Sequence, residues 1–319
     1  MKALIIGAAG FVGGYLISEL SERGFEVSAT KLPFETLSIE SAPKCRVFDL
    51  DVTDASATNK LITELRPDRI FHLAAQSSVK ASWEKPELTL KVNVIGALNV
   101  LEACRALKET GASPRVLMIG SAEEYGKVAP EECPIREDRT PTPKNIYALS
   151  KMTQNHLGNI YSEAYGLDII NVRAFNHTGP MQSATFVVAD FCAQVARIEA
   201  GLQAPIISVG NLDAMRDFTD VRDIVRAYAM LSDGGKAGET YNVGSGKATC
   251  ISNVLELIIK KAKCEIQVSL DQTRMRPSDV PLHCADVTKI RNDIGWTPTI
   301  PLETTIEDTL EYFRKLSRN

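Results

Sequence analysis

A short apolar run followed at once by three evenly spaced glycines constrains this chain more than any other feature. Ala3-Leu4-Ile5-Ile6 is continuous rather than alternating, the pattern of a strand covered on both faces. Gly7-Ala8-Ala9-Gly10-Phe11-Val12-Gly13 follows directly, and Val12, Leu16 and Leu20 then repeat every four residues along one helix face. Glycines in such a strand–turn–helix unit permit a tight turn, a close backbone approach and close packing of helix on strand. The unpaired N–H groups at the helix start favour an anion there. Gly7, Gly10, Phe11, Val12 and Gly13 are therefore expected to cradle the pyrophosphate of a dinucleotide. Met1-Lys2 and the apolar stretch behind it also share the outline of a secretory leader, but the glycine spacing favours the strand and loop.

The strand–helix alternation continues. Residues 2–6, 26–30, 46–49, 69–74, 115–120 and 168–173 read as strands, and 11–23, 55–65, 86–108 and 147–165 as helices. That order predicts an α/β chain with a Rossmann-type, doubly wound parallel sheet. Beyond residue 175 the rhythm loosens into shorter strands (206–209, 240–243, 265–268) and a last helix near 302–316, as in a smaller C-terminal α/β substrate lobe. The expected division is a dinucleotide-binding domain at 1–175 with a returning segment near 213–233. Residues 176–212 and 234–319 form the substrate domain.

Composition narrows the partners. A net charge of −4 gives no sign of the basic face a nucleic-acid binder needs. No apolar run is long enough to cross a membrane. The seven cysteines are odd in number and without CxxC pairs, and the four histidines lack metal-ligand spacing. Reduced thiols, a cytoplasmic setting and no bound metal are the expectation.

An acid at the end of the second strand would accept hydrogen bonds from an adenosine ribose and mark NAD. Val27-Ser28-Ala29-Thr30 runs instead into Lys31, whose ammonium suits a 2′-phosphate. NADP(H) is the expectation and NAD(H) the alternative, since Lys31 also reads as a solvated surface residue. Asp51 and Val52 are candidates for the adenine, and Leu73, Ala74 and Ala75 for a close approach of the cofactor to backbone; the two alanines equally suit helix packing.

Tyr147 and Lys151 stand four apart near the start of a predicted helix and so share a face. A phenol with a pKa near ~10 is a poor acid at neutral pH, and an ammonium beside it is expected to lower that value. Of the eight tyrosines only Tyr147 has a lysine four residues on. Ser121, at the end of the strand 115–120, is placed to orient a carbonyl against that phenol. Glu123 is a candidate second acid/base, or simply a solvated loop residue.

These motifs (GxxGxxG, Ser121, and Tyr147-Ala148-Leu149-Ser150-Lys151) resemble those of the extended short-chain dehydrogenase/reductases that act on nucleotide sugars, over essentially the whole chain. The segments 120–126, 175–180, 210–218 and 276–281 are most similar to members acting on GDP-linked 6-deoxyhexoses. The resemblance implies an NADPH-dependent reduction of the C4 carbonyl of GDP-4-keto-6-deoxy-mannose to GDP-6-deoxy-D-mannose. Tyr147 would be the proton donor, Ser121 and Lys151 would assist it, Asn176 would contact the sugar, Arg216 and Arg276 would clamp the diphosphate, and Asp279 would accept from ribose or guanine. It also implies a homodimer built on the helices 86–108 and 147–165. The chief rival is 4,6-dehydration of GDP-mannose. Residues 178–183 lack the paired arginines common in such dehydratases, and Asp190 stands where they usually carry lysine. A C4 epimerase and a non-catalytic NADP-binding sensor are further alternatives.

Overall fold

The computed structural model describes residues 1–37, 44–274 and 280–318. Seven parallel strands form its centre: β1 (Lys2–Ile6), β2 (Glu26–Lys31), β3 (Arg46–Asp49), β4 (Arg69–His72), β5 (Arg115–Ser121), β6 (Ile169–Ala174) and β10 (Thr240–Val243). Their order, β10-β6-β5-β4-β1-β2-β3, reverses direction between β1 and β4. Such a reversal opens a crevice at the carboxyl ends of these two strands. Helices α1 (Phe11–Glu22) and α8 (Val221–Gly234) cover one face, where Leu16, Ile17, Leu20, Tyr228 and Trp296 are buried. On the other face α2 (Ala55–Leu65) and α5 (Gly96–Glu109) pack Ile62, Val100, Leu101 and Cys104 on Leu4, Ile70 and Val116.

Local chemistry sets the helix ends. Asp54 accepts the Ala57 amide to start α2, and Asn145 accepts the Ala148 amide to start α6 (Ile146–Tyr165). α6 stops at Gly166, whose left-handed φ of 60° suits glycine.

The single helix expected over 86–108 is three pieces: α4 (Pro86–Leu90), a π-helical turn at Lys91–Ile95, and α5. The extra residue in that turn swings Asn93 inward. Its amide group accepts from the Gln76 N–H at 2.8 Å and donates to the Gln76 carbonyl and the Ser150 hydroxyl. A buried polar side chain with three partners offsets the irregular backbone, and no periodicity signals it.

The second lobe holds β7 (Asn176–Thr178), β9 (Met215–Asp220), β11 (Ala248–Cys250) and β13 (Leu282–His283) in one sheet, and β8 (Ile206–Val209) with β12 (Gln267–Leu270) in another. α7 (Val187–Glu199), α9 (Ile251–Lys260) and α11 (Leu302–Leu316) bury Phe191, Val195, Ile258, Ile306 and Leu310 between them. Of the segment expected to return near 213–233, α8 joins the first lobe while β9 stays in the second; β10, read as part of the second lobe, is the edge strand of the large sheet. Both follow from pairing: β10 finds an open edge in β6, and β9 pairs with β7, β11 and β13. Among the described residues no helix is long and apolar enough to cross a membrane.

Candidate active site

At the crevice the three loop glycines differ in what requires them. A Cβ on Gly7 would sit 2.5 Å from the Ala74 Cα, and φ there is +85°. One on Gly13 would sit 2.1 Å from the Ala8 carbonyl oxygen, so no side chain fits beneath α1. A Cβ on Gly10 would meet nothing closer than the Gly7 oxygen at 3.8 Å, and its backbone (φ −71°) is one any residue adopts. Packing therefore explains Gly7 and Gly13, whereas the open space at Gly10 lies at the uncapped N-terminus of α1, where no acidic side chain occupies the first turn. The residues fit a pyrophosphate.

Leu73 and Ala74 donate both their amides to the Ile6 carbonyl, which holds this segment against the end of β1. Phe11 stacks on His177 of β7 at 6.2 Å, so the first helix touches the second lobe beside the crevice. Val12 turns into the core against the α1 face of the sheet. Val52 does likewise, packing on Gly96, so of the two adenine candidates only Asp51 is exposed; one of its oxygens accepts the Thr53 amide and hydroxyl. Lys31 reaches Asp49 at 2.5 Å on the neighbouring strand. Glu35, four residues beyond Lys31, turns back to accept the Leu32 amide, a local cap that strand reasoning did not detect.

Tyr147 and Lys151 lie on the inner face of α6, both nine-tenths or more buried, across from the end of β5. The Lys151 ammonium donates to the Ile119 carbonyl at 2.7 Å and to Gln154 Oε1 at 3.0 Å. Burial brings it down to about 8, with Glu124 opposing. The expected lowering of the phenol is not what these positions produce. Burial pushes Tyr147 up, Glu123 and Glu124 add to that, and the hydrogen bond with Ser121 pulls partly back. The reason is geometric: the ammonium is drawn to the β5 carbonyl, and the phenol is left buried with two carboxylates nearby, which disfavours its anion.

Ser121 ends β5 and caps a 3-10 turn, Ala122–Tyr125. Its hydroxyl accepts the Glu123 amide at 3.2 Å while the Glu124 carboxylate reaches back to the Ser121 amide at 2.8 Å. Glu123 is half-buried and accepts from Asn145, the cap residue of α6, at 3.2 Å. Ser121, Glu123, Tyr147 and Lys151 are thus brought together.

The model of the family described as GDP-mannose 4,6 dehydratase matches residues 4–309. The chain belongs to that family. A GDP-6-deoxy-D-mannose reductase of Pseudomonas aeruginosa is 34% identical over 309 residues, 97% of this chain and 96% of the relative. A GDP-mannose 4,6-dehydratase of Yersinia enterocolitica is 30% identical over 342 residues, 95% of this chain and 91% of the relative. Among solved structures, RMD from Pseudomonas aeruginosa complexed with NADPH superposes with a TM-score of 0.86 at 32% identity, covering 99% and 100% of the two chains. The UDP-glucose 4-epimerase of Thermus thermophilus with NAD gives 0.87 at 31%, covering 98% and 99%. This family member is thus a nicotinamide-dependent short-chain dehydrogenase/reductase that modifies a nucleotide sugar.

Of the residues expected to meet the substrate, Asn176 is exposed on β7. Arg216 lies on β9, paired in register with Thr249 and His283. Arg276 and Asp279 lie outside the described residues. Asp190 is engaged by Gln194 at 2.9 Å and Arg274 at 2.5 Å, tying α7 to the segment before residue 275.

Several residues of this family member's site carried no sequence signal. Asp217, next to Arg216, is fully buried and accepts from Ser245, Gly246 and Ala285, which clips β9 to the loops behind β10 and β13. His72 at the end of β4 is fully buried with neither ring nitrogen partnered among the described residues, and burial beside Lys151 pulls it down to about 3, so it is neutral. Glu124 and Arg173 form a buried pair at 3.1 Å beneath Ser121. Their partners come from distant parts of the chain.

Proposed function

We propose that the protein reduces the C4 carbonyl of GDP-4-keto-6-deoxy-mannose to GDP-6-deoxy-D-mannose with NADPH. The observation that carries this reading is collinearity. The alignment with the reductase takes in nearly all of both chains over 309 residues, whereas that with the dehydratase spans 342, more than the 319 residues present here. A dehydratase of that kind carries segments this chain lacks.

In this reading Gly7, Gly10, Gly13 and the start of α1 hold the pyrophosphate, Leu73, Ala74 and Ala75 line the crevice, and Asp51 faces the adenine. The nicotinamide, when bound, supplies the hydride. Tyr147 gives its proton to the oxygen at C4. Burial keeps the proton on the phenol at neutral pH but makes it a weaker acid, so the transfer relies on the more basic alkoxide that hydride addition leaves at C4. Ser121 holds the same oxygen. Lys151 uses two N–H donors on Ile119 and Gln154, leaving a third for a ribose hydroxyl. Asn176, Arg216, Arg276 and Asp279 are assigned to the substrate, the arginines to its diphosphate. Purified protein given the 4-keto sugar and NADPH is expected to consume the cofactor and yield the 6-deoxy sugar. Turnover of GDP-mannose without added cofactor would overturn the assignment.

The second reading, 4,6-dehydration, is favoured by one observation: Glu123 stands close enough to Tyr147 to raise its pKa, where a base for the C5 proton would be needed.

The preference for NADPH rests on Lys31. Asp49 is 57% exposed, and such a surface pair contributes at most about 1 kcal/mol, so a 2′-phosphate competes readily for the ammonium. Lys31→Ala is expected to raise KM for NADPH about tenfold while changing that for NADH by less than about threefold. Equal changes in both would remove the residue from the cofactor site.

A homodimer is the proposed assembly. Of the stripe Val94, Leu98 and Leu101, only Leu101 is fully buried in the core; Leu98 packs against it partly buried, and Val94 is half-buried. Trp83, Leu88, Leu90, Ile95, Leu149 and Ile160 instead expose apolar surface on the segment from α3 (Val79–Glu84) to α5 and on α6. Light scattering after size exclusion is expected to give twice the chain mass, and Ile160→Glu with Leu149→Glu the single mass. A wild-type monomer at all concentrations would refute it.

A further inference from the structure

We propose that Glu124 is a positioning residue, its buried carboxylate tying the Ser121 backbone to the helix that carries Tyr147 and Lys151; this rests on the reading of those side chains as the reacting pair. The carboxylate is wholly buried. It accepts the Ser121 amide at 2.8 Å, the Asn155 side-chain amide at 2.8 and 2.9 Å, and the Arg173 guanidinium at 3.1 Å. Burial pushes its pKa up and these partners oppose that; since every partner donates, the ionised form is the one whose oxygens this pocket satisfies. Asn155 lies one turn beyond Lys151 on the same face of α6. One carboxylate therefore bridges the end of β5, β6 and α6.

Gly120 makes the bridge sterically feasible. A Cβ there would lie 2.4 Å from Glu124 Oε1 and 2.5 Å from Asn155 Nδ2. Arg173 is fixed in turn by the Tyr125 hydroxyl at 3.0 Å and the Glu137 carbonyl at 3.1 Å.

A neutral side chain could cap the Ser121 amide without the desolvation that a buried ion pair entails. What the charge adds is its field at the reacting groups. It favours the protonated form of both Lys151 and Tyr147. Three other titratable groups face them: neutral His72 from β4 beside Lys151, Glu123 from the same turn beside Tyr147, and Tyr228 from α8 beside Tyr147. Of these and Glu124, Glu124 supplies the negative charge that acts on Lys151 and Tyr147 together.

The test is Glu124→Gln, with Glu124→Gln/Arg173→Gln should the unpaired guanidinium unfold the single variant, and Glu124→Asp as the charge-retaining control. Removing a negative charge lowers the pKa of nearby groups. The alkaline limb of kcat/KM is expected to move down by about one pH unit, and kcat to fall about tenfold with KM within about threefold. The Lys151 signal in NMR of isotope-labelled lysine, assigned by its loss in Lys151→Met, is expected to titrate lower by the same amount. Glu124→Asp is expected to restore the wild-type limb. A loss of thermal stability with the limb and the Lys151 titration both unmoved would overturn the proposal. The NMR titration needs no turnover, so a failure of the reductase reading is seen separately, in the wild type's lack of reaction with the 4-keto sugar.

Discussion

Tyr147→Phe is expected to lower kcat by about a thousandfold while KM for the sugar and the cofactor stays within about threefold. The substitution removes one buried oxygen whose hydrogen bond is to the Ser121 side chain alone and leaves the ring in place, so the fold should tolerate it. The phenol donates no hydrogen bond on which α6 depends; that helix is capped by Asn145 and packed through Ser150 and Asn155. The lost term is therefore the proton at the C4 oxygen. Steady-state kinetics with the 4-keto sugar and NADPH, together with a melting curve, checks this. Turnover within tenfold of wild type would mean that another group is the acid, and Glu123 would be the first to examine.

The second large effect separates packing glycines from a ligand glycine. Gly10→Ala is expected to weaken NADPH binding about thirtyfold, roughly 2 kcal/mol, with the melting temperature within ~2 °C of wild type. The added methyl meets no protein atom closer than 3.8 Å and needs no unusual backbone, so its effect falls on whatever approaches the start of α1. Gly13→Ala is expected to do the reverse. Its methyl would lie 2.1 Å from the Ala8 carbonyl, forcing α1 off β1; overpacking of that kind destabilises by about 2 kcal/mol, several degrees in a chain of this size. Titration of cofactor fluorescence and calorimetry decide it. Wild-type affinity in Gly10→Ala would remove the pyrophosphate from this loop.

Much of the fold could be read beforehand, because strand and helix signals are local. The continuous apolar run at β1 and the apolar repeat every four residues in α1 arise from what neighbouring residues bury. The reading failed where distant partners decide. The apolar spacing over 86–108 predicts one continuous helix, yet residues 91–95 form a π turn in which Asn93 is buried against Gln76 and Ser150. Residues 240–243 carry a strand signal but none for its partner: β10 takes the edge of the large sheet beside β6, far back in the chain.

The amino-acid sequence by itself determined the chemical groups and their local spacing: a glycine turn opening a helix, a phenol and an amine one turn apart, and a hydroxyl at a strand end. Backbone sterics and helical geometry are enough for that. Only the tertiary structure decided the protonation of those groups. Burial raises the phenol, the Ile119 carbonyl claims the ammonium, and a carboxylate one residue beyond the predicted one is enclosed with an arginine from another strand. Desolvation and charge pairing depend on what the folded chain brings within a few ångströms, whatever the separation along the sequence.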